Sequence, residues 1–484
     1  MRWMMCLMVA TAAVAEEPLI RMATEGRVEI GGVAMESVTV NCGKVVQKGE
    51  VWMITFPVDW WQWRELEVSL VPLADHQANL SLSGAWGKVD GKELRQELLW
   101  QEVDGTKFKA GALPEGWSSP WRDYPKAGEW PINGSEVAAS WHGRPLMSEL
   151  ECRAGVELKL KLRVKAAVPE GFVEPKRLEG VTPAHRAAAK MKRGVNLGNC
   201  WEGASGTGAV SFEVGDIDNI AKAGFDHVRV PVGWHHRIEG GKISPEFLVE
   251  LEPVLRRALK HKLTVVLNWQ GYDLLNEDPA THSKVFIDGW KVIGEHFKDW
   301  PPSLFFELFN EPNGGLSAEV LNDLHKQAIT GIRESNPTRI LIVDSPSWAS
   351  SDALGSLRLP DDDERIIASF HCYDPFRFTH QGAEWVGLGE VKDVGFDGAL
   401  PAEVERRMDD ALAWSKYFGR PVHMGEFGAI GNADQESRRR YARAVRMAAE
   451  KRGIPWCWWE WKAGFGCWDS KSEKSSLIEA LTGS

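Results

Sequence analysis

Two glutamates define the chemistry open to this chain. The run LFFELFNEP, Leu304 to Pro312, carries Asn310 and Glu311 at the end of an apolar stretch, and PVHMGEFG, from Pro421, carries Glu426 at the end of another. A glycosidic bond is cleaved by one carboxyl group that protonates the leaving oxygen and a second that attacks the anomeric carbon or activates water. The two glutamates stand 426 − 311 = 115 positions apart, so no local element joins them. If both runs are barrel strands, the carboxylates face one pocket and the chain reads as a hydrolase of glycosidic bonds.

The elements that must bring them together lie beyond Lys190, where short apolar strands alternate with helical stretches. Candidate strands are Arg193 to Leu197, His227 to Val230, Leu263 to Asn268, Leu304 to Phe309, Arg339 to Val343, Ile366 to Phe370, Pro421 to Met424 and Pro455 to Trp459. Eight is the number a (β/α)8 TIM barrel requires, and polar groups gather at the strand ends. Between strands, Leu321, Leu324 and Ala328 recur on one helical face after Ser317, a candidate N-cap. Tyr441, Val445 and Ala448 do the same before Gly453. These faces are read as core, with no functional role.

From about Val28 to Ala166 the pattern is instead short and alternating. In VELKLKLRVKA, Val156, Leu158, Leu160 and Leu162 fall on one face and Glu157, Lys159 and Lys161 on the other, the mark of a half-buried antiparallel strand. Several such strands predict an all-β, jelly-roll-like sandwich over 22–167. A proline-bearing linker follows over 168–188, and the barrel occupies 189–484. The opening MRWMMCLMVATAAVAEEP has an early arginine, an apolar stretch too short to span a bilayer and an Ala-Val-Ala site, which reads as an export signal over 1–15. The expectation is an extracellular or periplasmic protein with no membrane insertion.

Composition narrows the partners. With 57 basic and 68 acidic residues the formal net charge is −11, which disfavours nucleic acid or an anionic membrane. Removing the signal leaves six cysteines, whose spacing gives no connectivity; Cys42 with Cys152 is the one pairing guessed at. No His/Cys cluster has metal-site spacing. The 24 tryptophans against 5 tyrosines are unusual, and indole faces suit the apolar faces of pyranose rings. Around the pocket the candidates are Trp201, Trp234, Trp269, Trp348, Trp385, Trp459 and Trp461. In the N-terminal region Trp52, Trp60, Trp61, Trp63, Trp86 and Trp100 could bind polysaccharide or dock the sandwich on the barrel.

The ordered set GVNLGNCWEG from 194, HVRVPVGW from 227, LFNEP from 308, HCYDP from 371, HMGEFG from 423 and WCWWEWKAGFGCWD from 456 closely resembles family 5 of the glycoside hydrolases, over about 190 to 470. The resemblance implies a retaining double displacement with Glu311 as acid/base and Glu426 as nucleophile. It further implies that Arg229 and Tyr373 orient the nucleophile, that Asn310 engages the sugar 2-hydroxyl, that His371 lines the acid/base side and that Trp459 forms a platform beneath the sugar. Arg229 and Tyr373 can supply charge-assisted donors that keep a carboxylate ionised, whereas the acid needs a drier setting. Each supporting residue also has a structural reading: an ion pair for Arg229, a strand-end bond for Asn310, packing for His371, a rim cap for Tyr373 and core for Trp459.

One departure stands out. After strand three, where many family members carry His-His or His, this chain has Gln270 and Gly271. Gln270 can hydrogen-bond a sugar hydroxyl but cannot titrate. The reading is a retaining endo-β-1,4-glucanase acting on cellulose-like or mixed-linkage glucan, with mannan, xylan-related and xyloglucan backbones as alternatives. No cofactor, metal or obligate protein partner is expected, since carboxylates can supply both proton transfer and attack. The competing class is a non-catalytic carbohydrate-binding protein on a barrel scaffold.

Overall fold

The computed structural model describes residues 25–30, 35–40, 44–48, 51–57, 59, 61–73, 94–103, 106–109, 157–166, 174–203, 212–468 and 476–483. The export-signal residues, Cys42 and Cys152 lie outside them, as do Trp60 and Trp86.

Eight parallel strands close into a barrel: β1 (Arg193–Asn196), β2 (His227–Val232), β3 (Thr264–Trp269), β4 (Leu304–Glu307), β5 (Leu341–Asp344), β6 (Ile366–His371), β7 (Val422–Phe427) and β8 (Trp456–Trp458), with β8 pairing back onto β1. Each is one of the eight runs read from the sequence. The fourth ends two residues early, at Glu307, although the Leu308 amide still donates to the Ile342 carbonyl and the Asn310 amide to the Trp269 carbonyl, both at 3.0 Å.

Alternation along the strands separates two cores. Val266, Phe305, Ile342 and Ile367, in the N-terminal halves of β3 to β6, form one cluster with Ala184, Ala187, Ala188 and Met191. The latter belong to a helix, Pro183–Ala188, and the turn after it, which plug the barrel floor. Thr182 caps this helix, its hydroxyl accepting from the His185 amide at 3.3 Å while its own amide donates to His185 Nδ1 at 3.3 Å. Part of the range read as linker is therefore a structural plug. The larger cluster lies between strands and outer helices. There Leu321, Leu324 and Ala328 of helix Ala318–Ser335 and Tyr441, Val445 and Ala448 of helix Gln435–Lys451 are buried on the faces expected. Each large apolar side chain so buried contributes about 1.5–3 kcal/mol.

The N-terminal region forms two antiparallel sheets. One orders Glu25–Ile30, Val51–Pro57 and Lys44–Lys48; the other orders Met35–Val40, Arg64–Pro72, Leu158–Ala166, Leu94–Val103 and Thr106–Lys109. Register sets Leu66 against Leu162 and Val68 against Leu160, the pairing that the alternating pattern requires. Ile54 and Phe56 of the first sheet and Val38, Leu66 and Val68 of the second share one apolar cluster. Trp61 is buried against the barrel, its ring 5.5 Å from Tyr417 and 6.0 Å from Phe418 between centroids.

Candidate active site

A cleft of about 1130 Å³ opens at the C-terminal ends of the barrel strands, and Glu311, Glu426, Gln270, His371, Tyr373 and Trp459 all line it. Closure of the barrel does what sequence distance could not. A carboxylate oxygen of Glu311, one of Glu426 and a ring nitrogen of His371 lie within 4.8 Å of one another.

The two glutamates sit in different settings. Glu426, near the end of β7, is buried and doubly held: Arg229 Nη1 donates to Oε1 at 2.7 Å and the Tyr373 hydroxyl donates to Oε2 at 2.7 Å. Its preceding residue must be glycine, because a Cβ at Gly425 would stand 2.9 Å from both His371 Nε2 and Ser369 Oγ. Glu311 keeps 28% of its side chain exposed to the cleft. Its backbone is left-handed, φ +48°, an unfavourable setting for a residue with a side chain. Its amide donates to Asp344 Oδ2 at 3.1 Å, and Asn313 Nδ2 donates to its carbonyl at 2.9 Å, which together fix the turn.

Beneath them lies Arg229, fully buried, with all five N–H donors used. Nε and Nη2 form a fork onto Glu307 at 2.7 and 3.0 Å; Nη1 serves Glu426 and Asn196 Oδ1, the latter at 2.9 Å; Nη2 also reaches Asn310 Oδ1 at 2.7 Å. Burial opposes its charge, yet Glu307 and Glu426 drive the guanidinium well above its usual range, so it is permanently cationic. Because Asn310 spends its carbonyl oxygen on Arg229, its amide nitrogen is left to donate elsewhere.

His371 joins the two carboxylates. Its Nδ1 is 2.8 Å from Glu311 Oε1 and 3.7 Å from Glu426 Oε2, and its Nε2 is 3.7 Å from Asp344 Oδ2. Burial alone would neutralise the ring, but Glu426, Asp344 and Glu311 overcome it and push the imidazole up to about 9. That direction favours the charged ring, whose Nδ1–H donates to Glu311. Burial, opposed by His371 and reinforced by Glu307, raises Asp344 to about 7. Burial and the charge of Glu426 hold the Tyr373 hydroxyl well above its ordinary range, so it stays a donor.

Gln270 Oε1 is buried and has no hydrogen-bond partner among the described residues. Trp459, half-buried, is anchored by its amide to the Phe427 carbonyl at 2.8 Å and packs beside Tyr373, Ala383, Ile430 and Phe465. The structure thus brings all eight site residues read from the sequence to one place. The wider tryptophan reading divides: Trp348 and Trp385 are 62% and 69% exposed and line the cleft, whereas Trp234, Trp269 and Trp461 are core. Trp201 is half-buried against Phe212.

Sequence reasoning passed over Glu307, Asn196 and Asp344. Glu307 had a signal: a lone carboxylate inside the apolar strand LFFE implies a buried ion pair, and Arg229 was the cation available. Asp344 ends LIVD in the same way. Nothing in the spacing marked Asn196, whose Nδ2 ties the Gly425 and Trp458 carbonyls at 3.1 and 3.2 Å.

This arrangement has counterparts. Residues 199–464, just over half the chain, match the family profile described as Cellulase (glycosyl hydrolase family 5). Endoglucanase H of Acetivibrio thermocellus is 32% identical over 278 residues, covering 56% of this chain and 29% of that protein. Endoglucanase A of Clostridium longisporum is 30% identical over 316 residues, covering 57% of this chain and 59% of that protein. The chain therefore spans less than two thirds of the length of either relative. Among solved structures, Cel5A of Thermotoga maritima in complex with mannotriose is 35% identical with a TM-score of 0.58, covering 61% of this chain and 99% of that one. The profile match, resting on the segment that holds both glutamates, shows that the chain belongs to glycoside hydrolase family 5.

Proposed function

We propose that this protein is a retaining endo-β-1,4-glucanase. The observation that carries the reading is the approach of Glu311 and Glu426 to within 4.8 Å at the floor of an open cleft. Retaining enzymes hold their carboxyl groups ~5–5.5 Å apart, whereas inverting ones need ~6.5–9.5 Å to admit a water.

In the first step Glu311 gives its proton to the glycosidic oxygen while Glu426 attacks the anomeric carbon. The aglycone leaves as an alcohol and a glycosyl ester forms on Glu426. In the second, Glu311, now a carboxylate, takes a proton from water as the water oxygen attacks the same carbon. Glu426 is released and the product has the starting configuration. Arg229 and Tyr373 hold Glu426 charged and aimed, and His371 Nδ1, 2.8 Å from Glu311 Oε1, orients the Glu311 carboxyl group toward the cleft. Asn310 Nδ2 faces the sugar 2-hydroxyl, the Gln270 side chain lines the sugar-binding cleft, and Trp459 stacks beneath the ring.

Release of reducing ends from soluble β-glucan, absent in Glu426→Gln, tests the reading; binding without turnover in the unmodified chain would sink it. A second backbone has specific support, because the Thermotoga maritima relative was solved with mannotriose. Side-by-side hydrolysis of glucan and mannan decides between them. The opening sequence further supports export, checked by N-terminal sequencing of protein recovered outside the cytoplasm.

A further inference from the structure

We infer that Asp59 and the run Trp61 to Arg64 of the N-terminal region form a brace for one wall of the cleft, with Arg64 as a positioning residue. Arg64 is buried away from the cleft and ion-pairs with Asp59 at 2.8 Å in its own region and with Asp410 of barrel helix Ala402–Phe418 at 2.6 Å. It also lies 3.9 Å from Asp352, in the loop after β5. Asp352 binds Arg406 at 2.7 Å and Arg407 at 3.2 Å, and Arg407 ion-pairs with Asp374 at 2.7 Å. Asp374 and Arg407 line the cleft, and Asp374 follows Tyr373, the donor to Glu426. A continuous set of charges thus runs from the N-terminal sheets to the residue beside the catalytic tyrosine.

Packing follows the same route. Trp61 lies so close to the loop that a Cβ on Gly355 would stand 2.6 Å from its Nε1, and Gln62 donates to Asp59 at 2.9 Å. The braced loop begins with three consecutive left-handed residues, Ser347, Trp348 and Ala349, at φ +58°, +57° and +53°. Such backbone costs of order 1 kcal/mol or more per residue and persists only where its surroundings over-determine it. Ser347, Trp348 and Ser350 line the cleft, so what fixes this loop fixes the wall that presents the Trp348 face. The sheets and the barrel therefore act as one catalytic unit rather than as an enzyme with a detachable accessory.

Hydrogen exchange on the full chain, with Arg64→Met, tests this without reference to activity. Faster exchange is expected in Ser345 to Ser356 and in Asp374 to His380, with β7 and β8 unchanged. Exchange altered only around Asp59 and Trp61 to Arg64, or not at all, would overturn the brace. The kinetic arm rests on the hydrolase reading. There KM for long cello-oligosaccharides should rise roughly 2- to 30-fold, while turnover of a short aryl glycoside changes little. A lower melting temperature with exchange and KM unaltered would reduce Arg64 to a stability role and refute the proposal. Asp352→Asn, which cuts the route inside the barrel, is read by the same criteria if Arg64→Met does not accumulate. A wild-type chain inactive on every β-glycan would reject the hydrolase reading and leave the exchange result to decide the brace.

Discussion

Replacing Arg229 by Met should show how the site's charges depend on one another. The guanidinium serves Glu307 twice and Glu426 once, and both carboxylates are buried. Stranding a buried partner costs roughly 3–5 kcal/mol, a fall in melting temperature of roughly 10 °C for a domain of this size. Glu307 cannot reach water, whereas Glu426 retains Tyr373 as a donor. Most of the cost should therefore come from Glu307. In a Glu307→Gln background the same Arg229→Met change should cost less, with a coupling of about 1–3 kcal/mol. Urea unfolding of the two single variants, the double variant and the parent measures that coupling. Strict additivity would refute the claim that Glu307 is the principal counter-charge of Arg229.

Two further outcomes follow from the same geometry. Glu311→Ala should lose far more activity on polysaccharide than on an aryl glycoside with a good leaving group, because only the former needs proton donation; equal loss on both would count against its acid role. His371, raised from 6.5 to about 9, binds its proton more tightly in the folded state. Its stabilisation, roughly 3 kcal/mol at most, is complete below pH 6.5 and lost as pH rises through 9. In His371→Asn the slope of stability against pH between 6.5 and 9 should flatten, and an unchanged slope would show that the ring is not the titrating group.

Much of this was legible in the chain because strand ends are marked by composition. Apolar runs that stop at Asn310–Glu311, His371 or Glu426 place those groups at a barrel mouth once eight runs are counted, and all eight formed. The helix Pro183–Ala188 is hidden because its six residues are too few for a period and the prolines at 169, 175 and 183 mark the segment as a linker. Glu307 is marked in the sequence as a carboxylate inside an apolar strand, but its pairing geometry is not: Arg229 is 78 residues away, and only barrel register aligns β2 with β4 through β3. The tryptophans show the limit of composition. Trp269 and Trp348 are the same residue type near the same rim, yet one fills the core and the other faces solvent, a difference set by strand register and by the left-handed turn.

The most direct test of the two-carboxylate account is the configuration of the product at the instant of release. Proton NMR of a cello-oligosaccharide digest should show the β anomer first, with the α anomer appearing only by mutarotation. Initial formation of the α anomer would mean inversion and would contradict the roles assigned to Glu311 and Glu426.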